Sequence, residues 1–207
     1  MLHGRASDAV GRELLSAIGD LASVASWMTH DAGRSAEGQR YLLLGLRAAS
    51  EASDLALAAH LLNCLSRVAN HLGHVDDALE MVQLAQYGTR QLPNGRFKAV
   101  LASLEARALA IKGDLAGFTR ATAAAADGLA ATDDTDPEWV RWFDTAEFRA
   151  TLGIASMLAA EHDPTLARQA ITMIEHGIRL CRTRPLPGVR PQRPRPRLHR
   201  RRRPRRC

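Results

Sequence analysis

Ala69-Asn70-His71-Leu72-Gly73-His74-Val75-Asp76-Asp77-Ala78 closes one apolar helical stretch, turns on a glycine and opens a more polar one. Glycine is the residue that lets a helix end in the left-handed region without steric cost. Ala69 and Ala78, both small, let the helices on either side of the turn approach closely. Two more turns share this make-up: Trp27-Met28-Thr29-His30-Asp31-Ala32-Gly33 and Ala108-Leu109-Ala110-Ile111-Lys112-Gly113. Gly33, Gly73 and Gly113 are therefore 40 and 40 residues apart, each at the reversal between two helices. A fourth turn, at His162-Asp163, arrives about ten residues late because the acidic insertion Thr132-Asp133-Asp134-Thr135-Asp136 precedes its helix. A period of this size predicts helix pairs that stack on one another, each burying its neighbour's apolar face.

The rest of the chain agrees with helix throughout. Residues 1–181 hold 36 alanines and only three prolines, Pro93, Pro137 and Pro164, and alanine is the strongest helix former. Leu55, Ala58, Leu62, Leu65, Ala69 and Leu72 step by 3, 4, 3, 4 and 3, the spacing of one apolar stripe. Leu14, Ile18, Leu21, Ala25 and Met28 do the same, as do Phe97, Val100 or Leu101, Leu104, Ala108 and Ile111. No run of alternating β-branched residues suggests a strand. The punctuation predicts helices near 10–31, 35–51, 54–72, 75–90, 96–112, 114–131, 137–161 and 164–181. Asp54, Asp114, Asp136-Pro137 and Asp163-Pro164 are the expected starts, with aspartate accepting from free backbone N–H groups. Asn94-Gly95 and Gly73-His74 read as turns. The expected fold is all-α: antiparallel helix pairs stacked as an α-solenoid.

Charge separates this helical part, residues 1–181, from a tail, residues 182–207. The whole chain of 207 residues carries a formal +6. The tail holds twelve arginines and no acid, which leaves 16 basic against 22 acidic residues, a net −6, in residues 1–181. Six prolines among those arginines forbid helix and predict a disordered, polyproline-like segment. Arg200, Arg201, Arg202, Arg203, Arg205 and Arg206 would bind phosphates of nucleic acid nonspecifically, by counterion release and without base readout. The competing reading is an out-of-frame translation of GC-rich DNA, which yields arginine and proline. Twenty-six arginines against two lysines, and the absence of alanine and acid from the tail, favour it. No secretory signal or membrane-spanning stretch is read from the sequence. Cys64, Cys181 and Cys207 are widely spaced, so a reduced cytoplasmic setting is expected, with Cys64 a small buried hydrophobe.

The helix pairs, with their Ala-x-x-x-Gly-x-x-x-x-Ala turn, resemble tetratricopeptide repeats. Arg12-Glu13-Leu14-Leu15, Ala25 to Gly33, Gln39-Arg40-Tyr41-Leu42, Asp136-Pro137-Glu138-Trp139 and Trp142 to Glu147 are similar to a narrower group. That group is the C-terminal tetratricopeptide region of bacterial XRE-type helix-turn-helix transcriptional regulators, and the resemblance covers about residues 5–181. It implies a tetratricopeptide-like solenoid that works by protein contact or ligand sensing. In that family a DNA-binding helix-turn-helix precedes the repeats. None is read here, so the chain matches an interior slice of a longer regulator, and specific DNA binding by it alone is not expected.

Catalysis is not expected, nor is a cofactor or a bound metal. No phosphate-binding glycine loop, nucleophile elbow or paired metal-binding histidine motif occurs. His71, His74, Asp76 and Asp77 are close in sequence, but Gly73 breaks the helix between the histidines. Asp133, Asp134 and Asp136 lack the spacing of a calcium loop. Glu138, Asp144 and Glu147 read as solvated helix surface. Trp27 reads as hairpin core. Trp139 and Trp142, i and i+3 on one predicted helix with Phe143 beside them, cannot all point inward on so narrow a stripe. One of them is expected to line the concave groove, where solenoids take peptides or neighbouring helices. Replacing later repeats by the tail would leave Ile171, Ile174 and Ile178 partly uncovered, so marginal stability there, or self-association through that end, is expected. The alternatives are a stand-alone scaffold and a nucleic-acid binder acting through its tail.

Overall fold

The protein is described from a computed structural model that covers residues 7–92, 95–133, 136 and 138–183. Of the tail expected from residue 182, Arg182 and Thr183 instead continue the last helix, and the rest, with Arg200, Arg201, Arg202, Arg203, Arg205 and Arg206, lies outside the described residues, as do Asn94, Asp134 and Pro137. The described residues contain no strand. They form eight α-helices: α1 (Asp8–Asp31), α2 (Ser35–Ala52), α3 (Leu55–His71), α4 (Val75–Thr89), α5 (Gly95–Lys112), α6 (Leu115–Ala130), α7 (Thr145–Ala159) and α8 (Leu166–Thr183). A single 3₁₀ turn, Glu138–Val140, stands between α6 and α7. None of these helices is long and apolar enough to cross a membrane.

The helices pack in adjacent pairs, α1 with α2, α3 with α4, α5 with α6 and α7 with α8. Pairs meet through α2–α3, α4–α5 and the odd-numbered helices, so α1, α3, α5 and α7 follow one another along one face. The three glycine turns are built alike. Gly33, Gly73 and Gly113 take φ of +76°, +85° and +75°. In each, the next residue's N–H donates back five positions: Arg34 to Thr29 O at 2.8 Å, His74 to Ala69 O at 2.9 Å and Asp114 to Leu109 O at 3.0 Å. This is the Schellman closure, which satisfies carbonyls a helix end leaves free. A Cβ at Gly73 would meet nothing within 4 Å, so the strain of Gly73→Ala is confined to the backbone. It should cost about 1–2 kcal/mol, read as a lowered urea midpoint with unchanged slope.

Asp54 and Asp114 cap as expected, accepting from Leu57 N at 3.0 Å and Gly117 N at 2.8 Å. Asp136 does not. The helix expected over 137–161 starts only at Thr145, where Asp144 accepts from the N–H groups of Ala146 and Glu147. Trp139 and Trp142 therefore belong to a turn and a loop, not to one helix. Asp163 accepts from Thr165 N and Thr165 Oγ1 one turn ahead of α8.

The apolar stripe read along α1 also faces the other way. Leu14, Ile18, Leu21 and Met28 are exposed, together with Val10 and Val24. What α1 buries is small: Gly19, Ala22, Ser23, Ser26 and Thr29. The reason is close approach. A Cβ at Gly38 would stand 2.9 Å from Ser26 O, and one at Gly45 would stand 2.9 Å from Ala22 Cβ. Backbones this near leave no room for leucine between them. At the other end Ile171 and Ile178 are exposed, while Ile174 packs over Gly153.

The core runs along the stack in three clusters. One joins Leu42, Ala49, Leu61, Cys64 and Val68. The central one joins Val82, Phe97, Leu101, Leu104, Val140 and Phe143. The third joins Ala106, Phe118, Ala125, Leu152 and Ala159. α3 and α5 contribute buried residues around most of their circumference, because each lies between a partner helix and two neighbouring pairs. Leu55 and Leu72, at the ends of the stripe read along α3, are exposed instead.

Candidate functional site

α3 carries polar side chains on the face it turns toward α1 and the α6–α7 loop: His60, Asn63, Arg67 and Asn70. Their spacing of 3, 4 and 3 residues is that of a helical stripe. The odd-numbered helices supply the rest. Trp27 and His30 come from α1, Val100, Leu104 and Arg107 from α5, and Glu147, Thr151 and Ile154 from α7. Trp142 and Phe143, from the loop ahead of α7, complete the wall of a cavity of about 170 Å³.

Two cations and three aromatic rings set the character of this cavity. The Arg67 guanidinium lies 5.2 Å from the Trp27 ring centre and 5.9 Å from that of Trp142, within the range of cation–π attraction. Arg107 is half-buried beside it. Burial first, and then the positive charge of Arg67, hold Arg107 below the usual guanidinium range. Among the described residues neither arginine forms an ion pair. Phe143 is buried and meets Trp142 and Phe148 edge-on, at ring separations of 5.5 and 6.4 Å. His30 meets Trp27 and His71 in the same way.

A second recess of about 160 Å³ is walled by Asp20, Asp54, Ala56, Leu57, His60 and Trp139. His60 stacks obliquely on Trp139 at 5.1 Å, and its Nε2 lies 3.2 Å from Ser23 Oγ and 3.7 Å from Cys64 Sγ. Burial, helped by the nearby Arg67 charge, lowers the His60 pKa, so the ring is held neutral. Burial pushes the Cys64 thiol up, away from the reactive thiolate.

The loop that carries Trp139, Trp142 and the buried Phe143 is fastened by a buried ion pair. Asp136 is 2% exposed and receives Arg96 Nε at 3.2 Å and Arg96 N at 3.3 Å. Arg96 Nη1 donates onward to the Phe143 carbonyl at 2.9 Å, and Arg141 Nε to the Asp136 carbonyl at 3.2 Å. Asp136, expected as a helix cap, is thus the anchor of the loop.

The residues singled out in the sequence scatter accordingly. Gly33, Gly73 and Gly113 are turn formers and do not line the cavity. Trp142 and Phe143 line it, whereas Trp139 lines the second recess and packs edge-on against Phe97 at 5.0 Å. Trp27, expected in the hairpin core, is a half-exposed wall of the cavity. His71 meets His30, His74 stands at the start of α4, and Asp76 pairs with Lys112. Glu147 faces the cavity, while Asp144 is a cap. Arg67, Asn70 and Arg107 were not among the candidates. Their signal was present as polar residues recurring at helical spacing on otherwise apolar helices. Comparison with protein-family models, curated proteins and solved structures yields no match.

Proposed function

We propose that this chain is a non-catalytic, tetratricopeptide-type interaction or ligand-sensing module of a cytoplasmic transcriptional regulator, taking its partner in the concave face. One observation carries the reading. The cavity draws side chains from all four odd-numbered helices and from an anchored loop, so an occupant would touch every pair of the stack at once. Solenoids use such a face for extended peptides and helices. Binding there would bias the relative positions of the pairs, which is how a repeat module passes a signal to a domain attached to it. The exposed stripes on α1 and α8 favour a second contact, with a further repeat or a second copy, at the ends of the stack.

Selection of peptides from a displayed library on the full chain tests the reading. Thr151→Trp fills the cavity from α7, and Leu43→Ala alters an exposed position on α2. Enriched peptides should lose at least about tenfold in affinity on Thr151→Trp, one hydrogen-bonded or aromatic contact's worth, and keep it on Leu43→Ala. Enrichment of acidic peptides indifferent to Thr151→Trp would assign binding to the arginine tail and overturn the reading.

A further inference from the structure

Asn70 is 7% exposed and lines the same cavity, yet neither its Nδ2 nor its Oδ1 has a hydrogen-bond partner. Arg107 Nε is likewise buried without one. Buried polar atoms are nearly always satisfied, and leaving them unsatisfied is costly. Here two unsatisfied donors, Asn70 Nδ2 and Arg107 Nε, and one unsatisfied acceptor, Asn70 Oδ1, line one cavity, together with a second guanidinium that has aromatic rings but no ion-pair partner among the described residues. Glu147 offsets one of the two positive charges, which leaves the cavity cationic. Val100, Leu104 and Ile154 make the remaining wall apolar.

We propose that this cavity binds an organic carboxylate, its anionic group on Arg67, Arg107 and Asn70 and its apolar part on Val100, Leu104 and Ile154. The inference rests on the groove reading above and names the chemistry of the occupant. A carboxylate suits the site in three ways. It is planar and accepts two parallel N–H bonds from a guanidinium. It accepts from the Asn70 amide. Its single charge matches the excess left after Glu147, whereas a doubly charged group would meet Glu147 in repulsion. Trp27 and Trp142, 5.2 and 5.9 Å from the Arg67 guanidinium, supply apolar ring surface beside the ion contact. A free small acid and the C-terminus of a peptide both present this carboxylate, and the two use the same atoms.

Calorimetric titration of the full chain separates these cases. The probes are phenylacetate, phenylacetamide, acetate, and Ala-Ala-Phe with a free or an amidated C-terminus. Phenylacetate should bind at least about tenfold more tightly than phenylacetamide, the ratio expected for a charge-assisted hydrogen bond. Acetate, which reports attraction to the arginine tail by charge alone, should be as weak as the amide. Arg67→Gln and Arg107→Gln should each remove that tenfold preference. Asn70→Ala, which changes no charge, should reduce it as well, and circular dichroism establishes that the helices persist. Tighter binding of free-acid Ala-Ala-Phe than of phenylacetate assigns the ligand to peptide termini; the reverse order assigns it to small acids. Equal binding of phenylacetate and phenylacetamide, indifferent to the arginine variants, would overturn the carboxylate inference while leaving the groove reading intact. Failure of all five probes would also overturn it, and the displayed library would then judge the groove separately.

Discussion

Phe97→Ala should lower the unfolding free energy by about 3–5 kcal/mol, the range for removing a buried phenylalanine from a packed core. Phe97 is 1% exposed and sits in the central cluster with Val82, Leu101, Leu104, Val140 and Phe143. α5 belongs at once to its own hairpin, to α4 and to α7, so no single helix can move to fill the space without disturbing another. Nearest-neighbour stacks depend on such interfaces, because each pair has too little apolar surface to fold alone. Thermal and urea unfolding followed by circular dichroism at 222 nm provides the measurement. Leu43→Ala, at an exposed position, should stay within about 0.5 kcal/mol. A loss at Phe97 below about 1.5 kcal/mol would mean that the pairs fold independently. The edge-on contact of Phe97 with Trp139 adds a second readout. Indole emission should shift to the red in the folded variant as Trp139 loses its support.

The helix pairs were legible in the sequence because turns have strict local chemistry. Gly33, Gly73 and Gly113 need left-handed backbone, Asp54 and Asp114 need to accept from bare N–H groups, and both requirements write themselves into residue type and spacing. Which face a helix buries is a tertiary matter: the stripe read along α5, from Phe97 to Ala108, is buried, that along α3 only in its middle, and that along α1 faces outward. On α1, close approach to α2 selects glycine, alanine and serine for the interface, so the stripe of large residues marks the exposed side. On α3, neighbours on nearly every side remove the contrast between faces on which such a stripe depends. The loop was misread for a related reason. Asp136 before a proline has the form of a helix start, and its ion pair with Arg96 spans 40 residues of sequence, beyond the reach of any local pattern. Trp142 and Phe143, singled out because three neighbouring aromatics exceed one stripe, line the cavity from a loop and not from the helix expected there. Arg67, Asn70 and Arg107 needed the opposite inference: polar residues spaced like core residues belong to a face that is enclosed yet not packed shut.

Asp136→Ala should be the most damaging single change outside the apolar core, lowering stability by about 3 kcal/mol. The aspartate is 2% exposed and Arg96 18%, so removing the carboxylate leaves a guanidinium largely cut off from water. Arg96 would keep its bond to the Phe143 carbonyl and lose both contacts with Asp136. The double variant Arg96→Met/Asp136→Leu tests whether the pair serves stability or placement. Buried ion pairs replaced together by apolar groups often recover the stability that breaking them forfeits. Unfolding midpoints of the double variant should therefore return most of the way to those of the unmodified chain. Placement should not return. No apolar pair can hold the Phe143 carbonyl as Arg96 Nη1 does, so the loop loses the bond that sets Trp142 over Arg67. The tryptophan emission of the double variant should stay displaced, and its peptide and carboxylate binding should stay weakened, although the helices are restored. If stability and binding recovered together, the ion pair would be a structural fastening and the loop an indifferent wall. Recovery of stability alone would identify Arg96 and Asp136 as the residues that hold the groove in shape for its occupant.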